Sequence, residues 1–117
     1  MTNIVRIEAG SRMSEAVIYG GKLYTAGVVA DEAIGKSVLA QTQDILQQID
    51  TLLTKAGTDK TRVLKANIWL TDMTKFAQMN EAWDAWVIPG QAPARATVEA
   101  RLAAPGYDVE IMIEAAL

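Results

Sequence analysis

Apolar and β-branched residues cluster first on either side of a glycine pair. Ala16 to Tyr19 and Lys22 to Ala26 are rich in Val, Ile, Tyr and Thr, and Gly20-Gly21 joins them. Two adjacent glycines accept the positive φ angles of a two-residue turn, so this spacing predicts a β-hairpin. Gly27 follows, where the backbone can bend or another group can come close. From Ser37 the period lengthens to three and four. Val38, Thr42, Ile45, Ile49, Leu52 and Ala56 form one stripe, which Leu46 and Leu53 widen. That is a helix, with Ser37 placed to cap its start and Gly57 to stop it.

Period two returns between Val63 and Leu70. Leu64, Ala66, Ile68 and Leu70 make an apolar face, and Lys65, Asn67 and Trp69 make the other. Thr71-Asp72 then offers an N-cap for a second helix. Phe76, Met79, Asn80, Trp83 and Val87 line one side of it, with Trp86 beside them, until Pro89-Gly90. Two further strands are predicted at Ala94 to Leu102 and Asp108 to Ala115, joined through Pro105-Gly106.

The order is β-β-α-β-α-β-β, with room for another short strand at Ile4 to Ile7. It describes one α+β domain over residues 1–117: a sheet with two helices on one face. On this reading Ala94, Ala96 and Val98 face the helices. The opposite sheet face then carries Arg95, Thr97, Glu99, Asn67, Trp69 and Met112. Such a mixture of charge and apolar area is satisfied by pairing with copies of itself in a closed ring.

Composition narrows the chemistry. Half of the 117 residues are hydrophobic but only 6% are aromatic, so aliphatic side chains do most of the packing. With no Cys and no His, disulfides, thiolate catalysis, imidazole general bases and the usual zinc ligands are excluded. Carboxylates, Arg, Lys, hydroxyls and backbone groups remain. A net charge of −3 without a basic run argues against a nucleic-acid surface. Met1 to Gly10 lacks a secretory apolar core, and no apolar run approaches the ~20 residues that span a bilayer. The expectation is a cytoplasmic protein.

Several segments carry a family resemblance. They are Arg12-Met13-Ser14-Glu15-Ala16-Val17, Leu23-Tyr24-Thr25-Ala26-Gly27, Asn80-Glu81-Ala82-Trp83-Asp84-Ala85-Trp86, Ala92-Pro93-Ala94-Arg95-Ala96-Thr97-Val98-Glu99 and Val109-Glu110-Ile111-Met112-Ile113-Glu114-Ala115. In this order and spacing the chain resembles the RidA/YjgF family over nearly its whole length, near its short YoaB-like bacterial branch. The resemblance implies a chorismate-mutase-like fold, a homotrimer with small-carboxylate ligands in clefts between subunits, and no metal or organic cofactor. It also implies hydrolysis of reactive 2-imino or enamine acids, such as 2-aminoacrylate, to 2-oxo acids and ammonia.

Arg95 is the leading candidate. A guanidinium grips a carboxylate through two parallel hydrogen bonds, and Arg95 matches the family's carboxylate-binding position. The alternative is a structural Arg paired with Glu99, two residues along the same face. Thr97, roughly 7 Å further along the strand, matches a small polar position near the ligand, or is a strand-filling Thr. Gly27 matches a glycine whose backbone lies beside the ligand, or marks a bulge. Asn80 is polar within an apolar stripe, and so is either a structural linker or a ligand contact. Trp83 and Trp86 read as packing. Met13 lies near the position of a pocket-closing aromatic.

One departure is sharp. Met112 stands where the family carries the Glu that activates water, and a thioether cannot accept that proton. Glu110 and Glu114 share its strand face and are the candidates to assist water in its place. Two functions follow: an enamine/imine deaminase, or a non-catalytic carboxylate-binding protein or metabolite sensor that keeps the Arg95 anchor. RNA cleavage, attached to some relatives, fits the acidic, His-free composition least.

Overall fold

The computed structural model describes residues 3–117. Seven strands and two α-helices follow in order: β1 Val5–Ala9, β2 Ser14–Tyr19, β3 Lys22–Thr25, β4 Val28–Val29, α1 Val38–Lys55, β5 Val63–Leu70, α2 Phe76–Trp86, β6 Ala94–Glu99 and β7 Val109–Ala116. The predicted hairpin is β2–β3, with Gly20 at φ 62° and Gly21 at φ 77°. A side chain at either position would be strained, hence the glycines. Ser37 accepts from the Ala40 N–H at 3.1 Å and caps α1 as predicted. At its other end Thr58 and Gly57 donate to Leu53 and Thr54, a Schellman closure with Gly57 at φ 80°.

All strands join one mixed sheet in the order β1-β2-β3-β7-β5-β6, with β4 pairing β7 beyond the end of β3. Only β5 and β6 run parallel, and α2 is the crossover between them. Thr25 explains the break between β3 and β4. Its buried hydroxyl accepts from the Ile113 N–H at 3.0 Å and takes the place of a backbone rung there.

Both helices cover one face of the sheet. Leu23, Ile45, Ile49, Leu53, Ile68, Leu70, Met79, Ile111 and Ile113 are fully buried between them. Each such side chain contributes roughly 2 kcal/mol by leaving water. Gln41 is a polar member of this layer, 0% exposed. Its amide donates to the Lys36 and Gly106 carbonyls and to the Asp108 carboxylate, and accepts from the Asp108 N–H at 3.0 Å.

Four expectations need correction. Leu64 is 45% exposed, because a register shift between Val63 and Lys65 turns Val63 into the core in its place. The strand at residue 94 ends at Glu99, where Ala100 turns back to donate to Leu70. Asp72 caps a 3-10 turn, Met73–Lys75, and α2 starts only at Phe76. The hydroxyl and N–H of Thr74 hold the Asp72 carboxyl below its ordinary range.

The fourth concerns the faces of β6, which are the reverse of those predicted. Arg95, Thr97 and Glu99 pair with Ala66, Ile68 and Leu70 of β5, whose side chains are buried under the helices. They therefore share the helix-side face. Ala96 and Val98 lie on the open face with Asn67 and Trp69, and Val98 is 49% exposed. Asn67, Trp69 and Met112 are on the open face as predicted; Arg95, Thr97 and Glu99 are not.

Candidate carboxylate-binding site

Strand β6 is an edge of the sheet, and α2 packs beside it. This brings the Arg95 guanidinium over the helix. Its Nη1 donates to Asn80 Oδ1 at 2.8 Å and lies 3.9 Å from Met79 Sδ. Its central carbon is 5.3 Å from the Trp83 ring centroid and 5.7 Å from that of Phe76. These four helix residues follow at steps of three, one and three, so a single α-helical face presents them all.

Every one of these partners is uncharged. The single ion pair among the described residues joins Lys55 and Glu8, at 3.6 Å. Glu99, the expected structural partner, is engaged elsewhere: its carboxylate accepts from the Met73 N–H at 2.8 Å, ahead of α2. Arg95 is thus a half-buried cation with no anion beside it. Withdrawing a charge from water without a counter-charge is costly, so the group is disposed to take one.

Thr97 adds to this. Its Oγ1 is buried and has no hydrogen-bond partner within the chain. Buried hydroxyls are almost always bonded, so this orphan calls for a partner from outside the chain. Arg95 and Asn80 are bonded to each other, and Thr97 lies one strand repeat from Arg95 on the same face.

The other candidates lie apart. Gly27 sits between β3 and β4 with its backbone exposed, against the Glu110 side chain. A Cβ at Gly27 would fall 2.0 Å from Glu110 Oε2, so the close approach its position suggested is made by Glu110 of the same chain. Glu110 and Glu114 are on the open face, opposite Trp69 and Lys65 respectively, with Met112 between them opposite Asn67. Two strand spacings, ~10 Å, separate β7 from β6, and the two clusters project from opposite sides of the sheet. One chain therefore does not unite Arg95 with Gly27 and Glu110. Met13 is 54% exposed at the β1–β2 turn, and β3, β7 and β5 lie between that hairpin and β6.

Concave regions of about 220 Å³ over α1 and about 440 Å³ between the helices are present, and neither is lined by Arg95. Among the described residues no group of three or more carboxylates is poised to hold a metal ion. The structure adds Phe76, Met79 and Trp83 to the Arg95 surroundings. Their spacing was visible in the sequence, but an apolar stripe reads as core, and the Asn80 within it was the one available signal.

Comparison with known proteins agrees with this architecture. A family model described as endoribonuclease L-PSP matches residues 3–117. A RutC family protein of Haemophilus ducreyi is 49% identical over 115 residues, 97% of each chain. The RutC family protein YoaB of Escherichia coli is 48% identical over 114 residues, 97% of this chain and 98% of its own. The crystal structure of a YjgF-family protein from Neisseria meningitidis superposes with a TM-score of 0.94 at 46% identity, covering 97% of this chain and 94% of the other. The chain belongs to the RidA/YjgF family. Its mixed seven-stranded sheet with two helices is the RidA/YjgF fold.

Proposed function

We propose that this protein hydrolyses small 2-imino acids and their enamine tautomers, such as 2-aminoacrylate, at clefts between copies of the chain in a cytoplasmic homotrimer. The observation that carries this reading is the Arg95 guanidinium, half-buried, held by neutral groups and lacking an anion. A planar carboxylate is the partner its remaining N–H groups fit. The unpartnered Thr97 hydroxyl lies on the same strand face and suits a second polar contact to the same ligand. Membership of the RidA/YjgF family supports the choice of substrate.

The chemistry is within reach of this residue set. The enamine tautomerises to the imine, and water adds to the C=N carbon. The resulting carbinolamine expels ammonia as its hydroxyl loses a proton, leaving the 2-oxo acid. Imines hydrolyse readily, so fixing the carboxylate and orienting one water is a sufficient task for the protein. Glu110 and Glu114 are the carboxylates assigned to assist that water, and the exposed Gly27 backbone suits the substrate's other side. These groups project from the open sheet face, so in this reading a neighbouring chain presents them to Arg95. Trp69, Met112 and the exposed Val98 make that face a fitting contact between copies.

A dehydratase supplying 2-aminoacrylate, coupled to detection of pyruvate, tests the activity. Wild type accelerates pyruvate formation above the uncoupled rate and Arg95→Ala does not; no acceleration for several imino acids removes the deaminase reading. Met112 favours one alternative, a carboxylate-binding protein or sensor without turnover. In that case pyruvate binds saturably in calorimetry, Arg95→Ala abolishes binding, and no acceleration accompanies it. The endoribonuclease description attached to the family model draws no support from a net charge of −3 and the absence of His.

A further inference from the structure

We infer that Phe76 and Trp83 are positioning residues which, with Asn80, form a cradle setting the plane of the Arg95 guanidinium. The inference rests on the carboxylate-binding role proposed above. A bidentate grip needs two N–H bonds aimed in parallel, so a guanidinium free to swivel holds a carboxylate poorly. Two aromatic rings within 6 Å confine the cation, because each offers it a face of negative potential. The Asn80 bond takes one Nη1 hydrogen and fixes rotation within the plane. Nη1 also lies 3.9 Å from Met79 Sδ, and the Nη2 and Nε N–H groups stay available.

The cradle is anchored in the core. Trp83 is 4% exposed, and its ring lies 5.4 Å from that of Trp86, whose Nε1 donates to Asp50 of α1 at 3.0 Å. Phe76, 36% exposed, forms the rim. Strand β6 fastens α2 at two points, Arg95 on Asn80 and Glu99 on the turn before Phe76. The neutral acceptor at position 80 matters too. An Asp there would hold the guanidinium as firmly but cancel the charge a carboxylate needs. Asn80 orients the cation without neutralising it.

Calorimetric titration with pyruvate, alongside thermal unfolding, separates positioning from packing. Trp83→Leu is expected to weaken binding roughly three- to thirty-fold, the span of one cation–π contact, and Trp83→Phe to restore most of it. Phe76→Leu weakens binding in the same direction. Asn80→Asp is expected to lose at least about tenfold in affinity with no drop in unfolding temperature, a combination that a structural role does not produce. Thr58→Ala, which loses the hydroxyl bond to the Ala116 carbonyl at the end of β7 and belongs to no part of the cradle, unfolds earlier and binds as wild type. If Trp83→Leu fails to fold, Phe76→Leu at the exposed rim and Asn80→Asp carry the test. Wild-type affinity in folded Trp83→Leu, Phe76→Leu and Asn80→Asp, with Arg95→Ala still abolishing binding, overturns the cradle and leaves the anchor standing. Wild-type affinity in Arg95→Ala overturns the anchor, and the cradle with it.

Discussion

Consider Arg95→Met, which keeps an unbranched apolar stem and removes the charge. The substitution gives up a charge-assisted hydrogen bond to Asn80, worth about 2 kcal/mol. It also gives up two cation–π contacts of about 0.5–1 kcal/mol each. Against this stands the cost of withholding a guanidinium from water without a counter-charge, several kcal/mol for a fully buried ion and roughly half that here. A thioether beside the same rings returns about another 0.5 kcal/mol. The terms nearly cancel, so Arg95→Met is expected to unfold within about 1.5 kcal/mol of wild type while losing pyruvate binding altogether. An arginine engaged in a structural ion pair behaves differently, because its removal strands a charge at a cost of about 3–5 kcal/mol. Urea denaturation followed by circular dichroism measures the difference, at one fixed chain concentration because association shifts apparent stability. A loss above about 3 kcal/mol with an unchanged denaturant slope would refute the claim that Arg95 lacks a structural counter-charge.

Three further outcomes are expected. Gln41→Leu conserves volume but strands the Asp108 N–H and the Lys36 carbonyl, while the Gly106 carbonyl keeps the Gly35 N–H, costing about 2 kcal/mol or more in urea denaturation; a loss under 1 kcal/mol contradicts the bonding described. Burial alone would raise the Asp44 carboxyl, but N–H donors from Ala33 and Asp31 and the amide of Gln48 outweigh it and hold it below its ordinary 3.8. A depressed folded-state pKa contributes stability that is present above the unfolded value and lost as pH falls through the folded one. Asp44→Asn should therefore flatten the fall in stability below about pH 4, measured by urea midpoints at pH 3 and 6; an identical acid profile would show that Asp44 is not responsible. Val98→Glu places a charge on the open sheet face and should convert the proposed trimer to monomers in light scattering, and an unchanged mass would remove that face from the interface.

Much of the fold was legible because its signals are local. The Gly20-Gly21 hairpin, the Ser37 cap, the Gly57 stop and the buried row Val109, Ile111 and Ile113 each follow from a few neighbouring residues. Arg95, Thr97 and Asn80 were also recognisable as candidates, and the structure bonds Arg95 to Asn80 with Thr97 on the same strand face. What was misread was their setting. Phe76 and Trp83 read as packing because an apolar stripe at helical spacing looks the same whether it faces Leu or a guanidinium. The partner Glu99 was plausible for Arg95 on strand spacing, yet the turn at Met73 claims it.

Alternation along Ala94 to Glu99 determined that Arg95, Thr97 and Glu99 share one side, since side chains of a strand repeat every second residue. It could not determine which side meets the helices. That choice belongs to the parallel register with β5, which sets Arg95 beside buried Ala66, and to α2, which crosses between the two strands and lays its aromatic stripe over the edge. Period and caps are properties of the neighbouring chain. The inward face of an edge strand depends on what packs against it, and that is decided only when segments distant in sequence meet.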